Sequence, residues 1–62
     1  MCLSTVYEIV DGEENMIGEC VTGIVTGEGS VSFTDILGEK TVVKGKIKEV
    51  DLVKNIVLIE AT

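Results

Sequence analysis

Met16-Ile17-Gly18-Glu19-Cys20-Val21-Thr22-Gly23-Ile24-Val25-Thr26, followed across Gly27-Glu28-Gly29 by Ser30-Val31-Ser32-Phe33-Thr34, is the stretch that decides the fold. Its first part is rich in β-branched residues and too long for a flat strand, so Gly18 or Gly23 is the natural place for a bulge or kink where one sheet curls into the next. Its second part alternates cleanly, with Val31 and Phe33 directed inward and Ser30, Ser32 and Thr34 outward. The glycines between them read as a tight connection.

The rest of the chain reads the same way. A first strand spans about Cys2–Val10, and Asp11-Gly12-Glu13-Glu14-Asn15 forms a hairpin loop behind it. After the turn at Leu37-Gly38-Glu39 come strands over Lys40–Lys44, about Lys46–Val50 and Asn55–Glu60. The link Asp51-Leu52-Val53-Lys54-Asn55 has the composition of a tight or single 3₁₀-like turn. Helical periodicity is absent, and the apolar run Ile56–Ile59 is too short and too β-branched to make a helix. The expectation is an all-β chain: a small open barrel of about six short antiparallel strands, because closure removes exposed edges. Without proline, low-complexity tract or linker, residues 1–62 read as a single domain.

With 62 residues and only Tyr7 and Phe33 as aromatics, the core is small and built from Val, Ile and Leu. Small all-β units complete their burial by pairing, so a homodimer is expected. No run is apolar enough to span a bilayer and no charged leader precedes an apolar segment, which points to the cytoplasm with Cys2 and Cys20 as free thiols. The net charge of −6 is uneven: residues 1–39 carry no Lys or Arg, while Lys40, Lys44, Lys46, Lys48 and Lys54 face only Glu49, Asp51 and Glu60 in the remainder. The overall field repels a polyanion, and the lysines read as solvated strand faces that guard sheet edges. A small RNA-binding module is the alternative reading, weakened by this charge and by Tyr7 being the lone aromatic available for stacking.

The chain has no histidine, which removes Ser-His and Cys-His catalysis within one subunit, and no arginine for bidentate phosphate or guanine contacts. Gly27-Glu28-Gly29 lacks the GK[ST] ending of a phosphate loop and is followed by a strand. Asp11, Glu13 and Glu14 lack calcium-loop spacing and read as a solvated tip. Cys20 reads as a packed structural thiol. Two thiols without histidine fall short of a structural zinc site unless a dimer pools four sulfurs.

Cys2 is different. With Met1 retained, the Met1 amine, the Cys2 amide nitrogen and the Cys2 sulfur close two fused five-membered chelate rings; with Met1 removed, the Cys2 amine and sulfur close one. Such donors suit a square-planar d⁸ ion, Ni(II) first and copper second. The competing reading is a small semi-buried apolar residue on the first strand.

Met1-Cys2-Leu3 with Thr5-Val6-Tyr7, Phe33-Thr34-Asp35-Ile36-Leu37-Gly38-Glu39, and Gly45-Lys46-Ile47-Lys48-Glu49-Val50-Asp51-Leu52 before Ile56-Val57-Leu58-Ile59 together resemble the CooT-like family over nearly the whole chain. The resemblance implies a homodimer of small SH3-like barrels that binds Ni(II) through the second-position cysteine. Here that role falls on Cys2, shared with the backbone of Met1. It also implies a carrier or metallochaperone rather than an enzyme, with carbon monoxide dehydrogenase as a client; the family has carried the label of predicted RNA-binding protein as well. Cys20 has no counterpart in the family's metal motif.

Overall fold

The structure, a computed structural model, describes residues 3–62. Its turns are set by residues that tolerate unusual backbone. Asp11 and Gly12 take φ values of 51° and 80°, the pair of positive angles that a two-residue type I′ hairpin requires, and they join β1 (Ser4–Val10) to β2 (Glu13–Gly27). The expected five-residue loop is therefore only two residues long. Glu28 and Gly29 connect β2 to β3 (Ser30–Asp35).

Two aspartates build the other turns. Asp35 Oδ1 accepts from the N–H of Leu37 and of Glu39 at 2.9 Å each, and this holds the link to β4 (Lys40–Asp51). Asp51 Oδ1 accepts from the N–H of Val53 and of Lys54 at 3.0 Å each, which shapes the turn into β5 (Ile56–Ala61).

The fold is all-β, as the sequence reading expects, and consistent with a small SH3-like barrel. Its details differ from that reading in three respects. There are five strands rather than six, because Lys40–Lys44 and Lys46–Val50 form one continuous strand bent at Gly45. The backbone there has φ 153°, and a Cβ would overlap the Glu60 carbonyl, so only glycine lets the strand turn without breaking. The barrel is closed rather than open, and its closing pair is parallel: β1 lies beside β5 in the register Thr5↔Ile56 to Ile9↔Glu60. The other four neighbouring pairs are antiparallel.

β2 bends where its glycines allow. Its register against β1 slips on both sides of Gly18, and against β3 it slips between Val21 and Gly23. Each slip leaves an extra residue on β2, which increases local twist and carries the strand from one neighbour to the next. The core is Val6, Val21, Val31, Phe33, Val57 and Ile59, with Ile17, Ile24, Val43 and Ile47 packed against it. Val6, Val31 and Ile59 are fully buried, each contributing about 1.5–3 kcal/mol through burial. Val31 and Phe33 point inward as their alternation predicts. Among the described residues no helix is long and apolar enough to cross a membrane.

Candidate functional site

Met1 and Cys2, the ligands expected from the sequence, lie outside the described residues. The described chain starts at the half-buried Leu3 and joins the barrel at Ser4, which pairs with Val21. The segments gathered at this end are therefore defined. Thr5 N–H donates to the Asn55 carbonyl at 2.9 Å, which ties the start of β1 to the Asp51–Asn55 turn. Ile36 N–H donates to the Cys20 carbonyl at 2.9 Å, which brings the β3–β4 turn against the bulge of β2.

Cys20 departs from expectation. It is exposed rather than packed, with φ 54° in the left-handed region. The cause is the register slip between Gly18 and Val21: the extra residue swings out of the ladder, and the in-out alternation that would have buried it is interrupted. A sequence cannot show which residue of a bulge takes the odd conformation.

The remaining candidates are spread over the surface. Asp11, Glu13 and Glu14 are exposed at the far hairpin, and among the described residues no three His, Cys, Asp or Glu side chains are gathered as a metal-holding group. The five lysines are exposed, and Lys46 Nζ lies 4.0 Å from Glu60 Oε1 in a solvent-facing pair. Tyr7 is half-buried within β1.

A groove that sequence reasoning missed opens beside the start of β1. It has a volume of about 360 Å³ and is lined by Ser4, by Val21, Thr22, Gly23, Ile24 and Thr26 of β2, by Ile47, Val50 and Leu52, and by Val57. Its lining is mostly aliphatic, and Leu52 at its rim is 81% exposed. The one signal available in the sequence is the uncharged run Thr22–Gly27 in an otherwise charge-rich chain.

A family model described as "CO dehydrogenase accessory protein CooT" matches residues 1–60. Among solved structures, the crystal structure of a protein assigned as CooT from Carboxydothermus hydrogenoformans superposes with a TM-score of 0.87 at 26% identity, over 98% of each chain. No curated protein matches the sequence significantly.

Proposed function

Because the chain belongs to the CooT family of CO dehydrogenase accessory proteins, we propose that it is a nickel carrier or metallochaperone for maturation of such an enzyme. In this reading it works as a cytoplasmic homodimer with no catalytic activity of its own. The supporting observation is that the family match extends over residues 1–60 and so includes the Met1-Cys2 donor set.

Ni(II) is the cargo. Cys2 supplies a thiolate, and the Met1 amine and Cys2 amide nitrogen complete two fused chelate rings. A carrier must release as well as bind, and a site at a chain end exchanges ligands more readily than one enclosed by a core. Pairing two copies of Cys2 across a two-fold axis links metal binding to dimer stability. Thiolate and amide ligands must lose protons to bind, so affinity rises with pH.

The test is Ni(II) titration of the wild type and of Cys2→Ser, followed by thiolate-to-metal charge-transfer absorption, with intact mass recorded on the same samples. The expected result is loss of the charge-transfer band and at least a hundredfold weaker binding in Cys2→Ser. Unchanged binding in that variant places the site elsewhere and refutes the proposal. The mass decides whether Met1 contributes its amine.

A further inference from the structure

β3 lies between the second half of β2 and the first half of β4, and the three segments pair without a slip. The registers are Gly23↔Thr34, Val25↔Ser32 and Gly27↔Ser30 on one side, and Thr34↔Lys40, Ser32↔Val42 and Ser30↔Lys44 on the other. Alternate residues of a strand share a face. Ile24, Val31, Phe33 and Val43 belong to the barrel interior, so Val25, Ser32 and Val42 form a row across the outer face. Thr34 and Lys40 flank that row on one side, Ser30 and Lys44 on the other.

In a chain of net charge −6, this outer face carries two lysines and no acid. Its middle is apolar: Val25 is 68% exposed and Val42 65%, on either side of Ser32, whose hydroxyl donates to the Val25 carbonyl at 3.3 Å. The nearest acids belong to the turns. Asp35 Oδ1 is occupied by the N–H groups of Leu37 and Glu39, and Glu28 and Glu39 lie in the connections at opposite ends of the face. Lys40 and Lys44 have only Thr34 and Ser30 as cross-strand neighbours on β3. Among the described residues the only ion pair is Lys46–Glu60, beyond the bend at Gly45, and Lys48 and Lys54 lie beyond that bend as well.

The start of the chain does not cover these residues. Ser4 meets β2 at Val21, and β4 lies two strands from β2, about 10 Å away. Met1 and Cys2 span at most about 7 Å, too little to reach Val42 and the two lysines. The groove is separate too, since none of Val25, Ser32, Val42, Lys40 and Lys44 lines it. A second copy is a poor occupant, because two-fold pairing of this face with itself sets lysine against lysine. Guarding a sheet edge is an insufficient account: a charge of either sign blunts an edge, and guarding leaves no role for two exposed valines.

An apolar centre with a charged rim is how protein interfaces are built, and complementary charge selects the partner. We infer that this outer face docks an acidic surface of a partner protein. Val25 and Val42 cover apolar side chains there, while Lys40 and Lys44, about 13 Å apart along β4, meet carboxylates on either side. The face measures roughly 10 by 13 Å, the centre of a small interface of the transient, salt-sensitive kind. Transience suits a carrier, which leaves after delivery. The partner is the CO dehydrogenase client, and only this identity rests on the carrier reading.

The probe is nickel-free CO dehydrogenase, titrated with the full chain and followed by calorimetry. The expected result is saturable binding that weakens several-fold as salt is raised from about 50 to about 300 mM. Lys40→Glu combined with Lys44→Glu is expected to weaken it at least tenfold. Lys48→Glu combined with Lys54→Glu, an equal change in net charge beyond the bend, stays within about threefold of wild type. Reversal keeps a charge at both edge positions, so a purely protective role predicts no loss. Carbodiimide coupling of the wild-type complex is expected to join Lys40 or Lys44 to an Asp or Glu of the enzyme, read by mass spectrometry of the peptides. Equal losses from the two lysine pairs, no loss from either, or absence of saturation overturns the inference. So does an altered oligomeric state of the Lys40→Glu, Lys44→Glu variant in sedimentation, which assigns the face to a second copy. Tighter binding of oligouridylate than of the enzyme assigns it to nucleic acid and also overturns the inference. Nickel titration keeps the two proposals apart: the Lys40→Glu, Lys44→Glu variant is expected to bind Ni(II) as wild type does, and Cys2→Ser to dock as wild type does.

Discussion

Replacing Gly45 by alanine tests how the barrel closes. At φ 153° an L-residue is strained whatever the space, and a Cβ would overlap the Glu60 carbonyl oxygen while coming within 3.1 Å of its carbon and 3.2 Å of Ala61 Cα. The obstruction is backbone, so no side chain can rotate away. Backbone strain of this kind costs about 1–3 kcal/mol. Pushing two paired strands apart to admit a methyl group adds about 1–3 kcal/mol. Since partial relaxation shares the two terms, a loss of about 3 kcal/mol is expected for Gly45→Ala. A chain of this length has a total stability of roughly 3–9 kcal/mol at typical per-residue values, so the change removes a large part of it. Urea denaturation at fixed protein concentration reads the loss as a fall in midpoint, and thermal melting as a drop of about 12–24 °C. Gly23→Ala is the control: nothing lies within 4 Å of its Cβ position, its φ is ordinary, and its effect is expected to stay within about 1 kcal/mol. Equal midpoints for the two variants would refute the claim that Gly45 is required for the bend.

Asp51→Ala removes the acceptor for the N–H groups of Val53 and Lys54, and is expected to cost about 1–2 kcal/mol in urea denaturation because that turn delivers β5 to both its neighbours. Cys20→Gly relieves the left-handed backbone at φ 54° and is expected to stabilise the protein by about 0.5–1 kcal/mol in the same assay. On the intact fold, Cys20 is expected to react with a thiol reagent at a rate close to that of the unfolded chain, whereas protection by orders of magnitude would contradict its exposure.

The amino-acid sequence alone carried the all-β class, the turn positions and the inward direction of Val31 and Phe33, because these rest on period-two alternation and on residues suited to tight turns. It also singled out Met1 and Cys2, since their donor chemistry depends on bonds between neighbours. What required the tertiary structure involves residues distant along the chain. Gly45 reads as a break between two strands until the carbonyl of Glu60 is seen in the space a side chain would take. Closure depends on β1 meeting β5 in parallel, a pairing between opposite ends of the chain that no local pattern encodes. Cys20 is exposed because a bulge interrupts alternation, and the uncharged run Thr22–Gly27 borders a groove only because β4 and β5 supply the facing wall. Local chemistry is set by covalent neighbours and side-chain period, but the choice of which edges close and which stay open belongs to long-range strand pairing.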